Sequence, residues 1–457
     1  MGKYFGTDGF RGEANITLTS HHAYRIGRFI GRYFGKIAQN DGKRAKIVIG
    51  KDTRLSSYML EYSIAAGICA SGADAYMLHV ITTPGVSYVT RTHGFSCGVM
   101  ITASHNPYRD NGIKLINSRG EKMDDETIAL LERYIDGDAS ALGESGADIS
   151  LATGGDIGRI YDYVSGRNRY VGYLISVASN SYKNLRIGID TANGASWMIA
   201  PSVFGALGAQ VESIGDVPNG ENVNLGCGST HIDALVRLVK ERGLDVGFAF
   251  DGDADRCIAV DSDGGVVDGD GIMYILASRM KKRGMLNRDT VVATVMSNSG
   301  FCDSLARLGI ATRLTDVGDR YVYECMQNEG YSLGGEQSGH IIISKYATTG
   351  DGILTAIMLC EEMCEAKASL AELARGAYTY PQYTENVRVR DKLSVLASPM
   401  LKNAVKEIEG KIGGKGRVLI RPSGTEALVR IMIECPDESL CREYARHIAD
   451  IIISEEG

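Results

Sequence analysis

Three carboxylates stand at alternate positions in "AFDGDADR", at Asp251, Asp253 and Asp255. Like charges this close repel one another unless a cation sits among them, and an all-oxygen set suits Mg²⁺ or Ca²⁺. The calcium-binding EF-hand is the obvious rival, and the spacing fails it. The sixth loop position is Arg256 where Gly is needed, and the twelfth is Ser262 where Glu is needed. A solvated acidic turn is the plain alternative, but an apolar strand feeding such a turn is unusual.

A second candidate is the stretch "GVMITASHNP" (98–107), an apolar run that drops into Thr102, Ala103, Ser104, His105, Asn106 and Pro107. Ser, Asn and Pro are ordinary turn formers, so a simple turn competes with a nucleophile here. The hydrolase elbow GxSxG is absent, and on an extended backbone His105 points away from Ser104. What remains is a serine whose hydroxyl carries a group delivered or removed with the help of the Asp-held cation, which suits phosphoryl transfer. In "RPSGTE", Arg421 offers a bidentate fork, while Ser423, Gly424 and Thr425 supply hydroxyls and closely spaced N–H groups for a phosphate nest. Arg430 follows on the returning strand. A hairpin turn is the alternative there. "GGEQSGH" sets Glu336, Gln337, Ser338 and His340 between glycines, where carboxylate, amide and hydroxyl can hydrogen-bond sugar hydroxyls, an ordinary polar Gly-rich loop being the alternative. Arg11, between glycines in "GTDGFRG", reaches a phosphate or merely marks a turn.

Three repeats must position these groups. The first runs "AKIVIGKDTR" (45–54), "SGADAYMLHVITTP" (71–84), "GVMITASHNP"; the second "LRIGIDTANG" (185–194), "LGAQVESIGDVPNG" (207–220), "DVGFAFDGDADR" (245–256). A weaker third runs "VVATVMSNSG" (291–300), "LGIATRLTDVGD" (308–319), "YSLGGEQSGH" (331–340). Apolar strands alternating with helical segments and Gly-rich ends predict βαβ units in mixed, mostly parallel sheets, hence three similar α/β domains. In each repeat the unusual residues follow the third strand, at the carboxyl end where such folds bind ligands. The expected boundaries are 1–155, 156–256 and 257–372. A fourth, α+β domain spans 373–457, with the strand-like runs "GRVLI" and "ALVRIMIE" flanked by helices. Residues 136–159, small and Gly-rich, read as a linker or surface excursion, and "ARGAYTYPQYTENVRVRDK" (374–392) breaks the α/β rhythm.

Composition narrows the classes. With 457 residues, 44% hydrophobic and 23% charged, the chain is globular and large enough for several cores. A net charge of −7 without a polybasic run gives no long-range attraction to nucleic acid or anionic membrane, so any anion site must be local. No apolar run approaches a membrane span and the N-terminus lacks a signal-peptide core. The ten cysteines are scattered without a CxxC pair, which argues against zinc and fits a reducing, cytoplasmic setting. Cys360 and Cys364, at helical spacing, are expected on a core face.

"TASHNP", "DGDADR", "GEQSGH" and "RPSGTE" occur in the order that marks the α-D-phosphohexomutase superfamily, and the chain is identified as a member on that order. "KYFGTDGFRG" at the start, "ENVNLGCGSTH" (221–231), "VGDRYV" (317–322) and Gln337, where glucose and mannose relatives usually carry Met, resemble the branch acting on amino-sugar phosphates. The resemblance implies three like α/β domains and a fourth closing a central active-site cleft. It implies that Ser104 is phosphorylated in the active enzyme and holds one Mg²⁺ together with Asp251, Asp253 and Asp255. Arg11, Lys114 and Arg256 would surround that phosphoserine, with Lys114 as general acid or base. Glu336 and Ser338 would read the sugar, with His340 nearby as part of the catalytic set. Arg421, Ser423, Gly424, Thr425 and Arg430 would grip the phosphate not being transferred.

The implied activity is interconversion of glucosamine 6-phosphate and glucosamine 1-phosphate through a sugar 1,6-bisphosphate, which also serves as activator. That reaction supplies amino-sugar nucleotide and cell-wall precursor synthesis. Glucose or mannose phosphate is the alternative substrate, and a homodimer the assembly implied. A sugar-phosphate sensor without turnover and a phosphatase are the rivals from other classes; measurable turnover removes the first and net release of phosphate would mark the second. Two departures stand out. Ala427 replaces the family's usual Pro after "SGTE", and Asp-Ala-Asp replaces the common Asp-Gly-Asp while keeping all three carboxylates.

Overall fold

In the computed structural model, which describes residues 2–40, 42–144, 148–422 and 428–456, each repeat builds a sheet of its own. The first contains β1 (Phe5–Gly6), β2 (Gly9–Glu13), β3 (Lys46–Lys51), β4 (Asp74–Val80), β5 (Cys97–Ile101), β6 (Asp110–Asn117) and β7 (Ile160–Asp162). Their order is β1-β2-β6-β5-β3-β4-β7. The second contains β8 (Arg186–Asp190), β9 (Gln210–Ile214), β10 (Val246–Phe250), β11 (Cys257–Asp261) and β12 (Val266–Val267), ordered β12-β11-β10-β8-β9. The third, β13 (Thr290–Thr294), β14 (Ala311–Thr315), β15 (Leu333–Gly335) and β16 (Ile341–Ile343), is ordered β14-β13-β15-β16.

One motif recurs. In the first two sheets the leading strand lies between its two successors in parallel register, and a fourth strand returns antiparallel to the third. The third sheet keeps that order, with β13 parallel to β15 and β15 antiparallel to β16. Strands covered on both faces read as unbroken apolar runs, and β5, β10 and β13 are buried at every residue. The antiparallel return has a direct consequence for function. A parallel crossover needs a dozen or more residues, whereas an antiparallel reversal can be tight. The loops leaving β5, β10 and β15 are therefore short and anchored by a strand at both ends.

The chain forms two compact units, residues 1–295 with 313–374, and residues 296–312 with 375–457. Within the first, Ala139, Leu142 and Ile149 of the segment read as a linker or surface excursion are buried on the first sheet's core, and β7, just after that segment, adds a strand beside β4. Cys360 is buried and Cys364 half-buried. In the second unit, β17 (Gln382–Arg388), β18 (Arg417–Pro422) and β19 (Leu428–Glu434) form an antiparallel sheet ordered β17-β19-β18. β17 lies inside the stretch that only seemed to break the rhythm. Its alternation of half-buried and exposed residues is a strand signal too weakly apolar to stand out. No helix among the described residues is long and apolar enough to cross a membrane.

The helices α1 (Ser20–Asn40) and α2 (Ser57–Ala70) meet through paired glycines. A Cβ on Gly27 would lie 2.2 Å from the Ile64 carbonyl oxygen, and one on Gly67 would lie 2.3 Å from that of Tyr24. Ala normally favours a helix interior over Gly, so this pair tests packing against propensity. Gly27→Ala is expected to destabilise the protein by about 2 kcal/mol through overpacking, read as a lower thermal unfolding midpoint. An unchanged or higher midpoint would show that the helices move apart freely.

Candidate active site

Ser104 occupies the first tight reversal with a left-handed backbone, φ 52°. That conformation costs a non-glycine residue roughly 1–3 kcal/mol and persists only where neighbours enforce it. The residue is 1% exposed, its N–H donates to Thr102 Oγ1 at 2.9 Å, and its hydroxyl donates to Asp251 Oδ2 at 2.5 Å. The left-handed turn also corrects the expectation for His105. The chain is not extended here, so the ring swings back and its Nδ1 lies 3.3 Å from Ser104 Oγ. Burial, then Arg256 and Arg11, push the His105 imidazole down to about 4, so at neutral pH it carries no charge.

The reversal after β10 brings Asp251, Asp253 and Asp255 together, all buried, each offering an oxygen within 4.8 Å of the others. Ala254, at φ 56°, gives the bend that lets alternate residues converge. The Oδ1 atoms of Asp253 and Asp255 are buried without a hydrogen-bond partner among the described residues. Burial, with Asp255 and Asp253 adding repulsion, holds the Asp251 carboxyl well above the usual range. Asp255 goes the other way: burial would raise it, but Lys114, His340 and Arg256 hold it well below. Three converging buried carboxylates, two of them with an oxygen that meets no donor among the described residues, fit a small divalent cation such as Mg²⁺.

Cationic groups frame this set. Lys114, on β6, places Nζ 2.9 Å from Asp253 Oδ2, 3.3 Å from Asp255 Oδ2 and 3.1 Å from Asp8 Oδ2. Burial would lower its pKa, but Asp253, Asp8 and Asp255 hold it well above the ordinary lysine value, so the ammonium stays charged among them. Arg11 pairs with Asp8 and donates to Asn106 Oδ1 at 3.3 Å. Arg256 places Nε 4.0 Å from Asp255 Oδ1. His340 lies with Nδ1 3.7 Å from Asp255 Oδ1, while its Nε2 accepts the Gly350 N–H at 3.0 Å. Burial would lower the His340 imidazole, but Asp255, then Asp319 and Glu336, push it up to about 9, so the ring presents a protonated Nδ1 to Asp255.

Sequence reasoning passed over several residues here. Thr83 donates its hydroxyl to Asp253 Oδ2 at 2.5 Å and its N–H to the Asp253 carbonyl at 3.0 Å. Asp8 joins Lys114 to Lys122, whose Nζ lies 3.0 Å from Asp8 Oδ1 and 2.7 Å from Asp319 Oδ1. Asp8 and Asp319 sit inside quoted motifs, "GTDGFRG" and "VGDRYV", so their signal was present without a role. A lone threonine at a helix start, such as Thr83, gives no signal. A cavity of about 540 Å³ lies against this charged frame, its lining including Asp8, Lys114, Asp255, Asp319, Arg119 and Tyr323.

Glu336 follows β15 and accepts the Gly318 N–H at 3.2 Å; Ser338 is exposed, and Gln337 donates to Asp268 Oδ2 at 3.2 Å. In the second unit, Arg421 and Arg430 stand directly opposite one another on β18 and β19. Ser423, Gly424 and Thr425 lie outside the described residues.

Comparison with known proteins gives a consistent result over the whole chain. Four descriptions from one family match in order: "Phosphoglucomutase/phosphomannomutase, alpha/beta/alpha domain I" over residues 2–141, domain II over 168–265, domain III over 268–380 and the C-terminal domain over 385–451. The chain is 55% identical to a phosphoglucosamine mutase of Lachnospira eligens, covering 100% of this chain and 99% of that one. It is 47% identical to one of Bacillus cytotoxicus, covering both completely. Among solved structures it resembles a phosphoglucomutase/phosphomannomutase family protein of Burkholderia thailandensis, TM-score 0.77 at 20% identity over 100% and 99% of the two chains. It also resembles Aspergillus fumigatus N-acetylphosphoglucosamine mutase in complex with GlcNAc-6P and magnesium, TM-score 0.68 at 17% identity over 99% and 96%. At these identities the likeness between structures is one of fold.

Proposed function

The chain belongs to the phosphoglucomutase/phosphomannomutase family, among its phosphoglucosamine mutases, and from that premise we propose that Ser104 is the phosphoryl carrier for glucosamine 6-phosphate. In the active enzyme Ser104 bears a phosphoryl group. The substrate's O1 attacks that phosphorus, the P–O bond to Ser104 breaks, O1 gives up its proton and Ser104 Oγ takes one. The product is glucosamine 1,6-bisphosphate. After the bisphosphate turns around, Ser104 Oγ takes the phosphoryl group from O6, which leaves glucosamine 1-phosphate and restores the phosphoenzyme.

Asp251, Asp253 and Asp255 would hold one Mg²⁺ together with the Ser104 phosphate. When bound, that ion offsets charge on the transferring group. Arg11 and Arg256 add fixed positive charge beside the loop, where preorganised electrostatics carry most of the catalysis. Lys114, paired with Asp253, Asp8 and Asp255, would serve as general acid or base beside the oxygens that exchange the phosphoryl group. Glu336 and Ser338 would read the sugar hydroxyls, and Arg421, Ser423, Gly424, Thr425 and Arg430 the remote phosphate.

One observation supports this reading above the rest: a buried serine hydroxyl 2.5 Å from one of three converging carboxylates. The sugar is tested by a coupled mutase assay with Mg²⁺ and a trace of sugar 1,6-bisphosphate. Glucosamine 6-phosphate is expected to give a kcat/KM at least about 10-fold above glucose and mannose phosphates, a spread ordinary for one polar contact. A preference for glucose or mannose phosphate would remove the argument from Gln337 and leave the phosphoryl chemistry intact.

A further inference from the structure

The Ser104 carbonyl is held from several sides by groups outside the proposed phosphate and metal contacts. Arg54 is fully buried, and its Nη2 donates to the carbonyls of Ser104 and Asn106, each at 2.8 Å. Its Nη1 donates to the Asp110 carbonyl at 2.9 Å and to that of Pro107. Its Nε pairs with Asp52 at 2.8 Å. Asp52 in turn accepts the Arg54 N–H at 3.0 Å and the hydroxyls of Ser57 at 2.9 Å and Thr102 at 2.7 Å. Thr102 Oγ1 is the acceptor of the Ser104 N–H. Asn224, reaching in from the second repeat, donates its side-chain amide to the Ser104 carbonyl at 2.9 Å and the Asn106 carbonyl at 3.2 Å. Gly252 closes the remaining side, for a Cβ there would sit 2.4 Å from the Ser104 oxygen.

A guanidinium fork ordinarily meets an anion. Here, beyond the Asp52 pair at Nε, both Nη atoms go to loop carbonyls, and the carbonyls of Ser104 and Asn106 receive a second donor from the turn that follows β9. Such doubling over-determines a backbone that would otherwise relax out of the left-handed region. We infer that Arg54 and Asn224 are positioning residues for phosphoryl transfer, a two-sided clamp that aims Ser104 Oγ at the metal loop. This accounts for part of "ENVNLGCGSTH", a stretch given no role by the mechanism above. The inference rests on the carrier role of Ser104.

The test uses the full chain with Mg²⁺ and glucosamine 6-phosphate, comparing Arg54→Lys, Asn224→Asp and Ser104→Ala. Lysine keeps the charge and loses the fork; aspartate keeps the shape and turns an acceptor toward two carbonyls. Each of the first two is expected to lower kcat roughly 100-fold, the scale of a misaimed reacting group. KM should stay within about 3-fold, because the substrate contacts are untouched. The phosphoserine ³¹P resonance should move in both variants. A brace with no role in aiming would instead lower kcat only in proportion to the phosphoserine content per chain, and that result overturns the inference, as does wild-type kcat in both variants. If Arg54→Lys fails to fold, Asn224→Asp decides by the same readings. Normal turnover by Ser104→Ala would remove the carrier role itself; an inactive Ser104→Ala beside two normal clamp variants would remove the clamp alone.

Discussion

Ser104→Ala is expected to lower kcat for glucosamine 6-phosphate by roughly 10,000-fold or more, the scale seen when a covalent nucleophile is deleted. The substitution should leave the fold almost intact. Alanine keeps the backbone N–H that reaches Thr102 Oγ1 and the carbonyl that accepts from Arg54 and Asn224. What it loses is one hydroxyl, and with it the bond to Asp251, so a stability loss of about 1–2 kcal/mol follows. The activity and stability effects therefore separate. The unfolding midpoint moves slightly, turnover collapses, and the peptide containing residue 104 no longer gains a phosphoryl group on incubation with sugar bisphosphate. Turnover near wild type would sink the carrier reading. Collapse of turnover with inorganic phosphate as the wild-type product would point to a phosphatase.

Much of this was legible in the sequence because the fold repeats. Three copies of strand, helix, strand, helix, strand place the loops after β5, β10 and β15 at equivalent positions, so the motifs there could be assigned to one kind of location. The carboxylates were legible for a local reason: alternate spacing within six residues needs no tertiary information. The groups that aim or balance them were not. Arg54 and Asp52 read as "KDTR" at a strand end, and only the fold carries the Arg54 fork to carbonyls fifty residues away. Asp8, Lys122 and Asp319 come from three separate stretches, and their ion pairs are set by how the repeats pack. His105 was misread because periodicity assumes a regular backbone, and Ser104 departs from one. β17 was overlooked because its exposed face carries as many polar residues as a loop would.

The carboxylate loop yields a prediction in which stability and activity move in opposite directions. Three buried carboxylates with repulsion among them should leave the metal-free protein less stable than it would be with one fewer charge. Asp251→Asn keeps an acceptor oxygen for the Ser104 hydroxyl while removing the carboxylate that burial and its neighbours disfavour most. Without Mg²⁺, the variant is expected to unfold at a higher temperature than the wild type. Saturating Mg²⁺ should raise the wild-type midpoint by on the order of 5 °C, since a ligand at a hundred times its Kd contributes about 2.7 kcal/mol. The variant should show little of that gain, because a neutral amide is a poorer partner for a hard cation than a carboxylate. Its kcat should fall roughly 100- to 1,000-fold, the range for losing one preorganised electrostatic contact, and chelation should silence the wild type reversibly. A metal-free Asp251→Asn that is less stable than wild type would mean that repulsion among the three carboxylates is already balanced by Lys114 and Arg256. Equal Mg²⁺ stabilisation of both proteins would place the cation somewhere other than this loop.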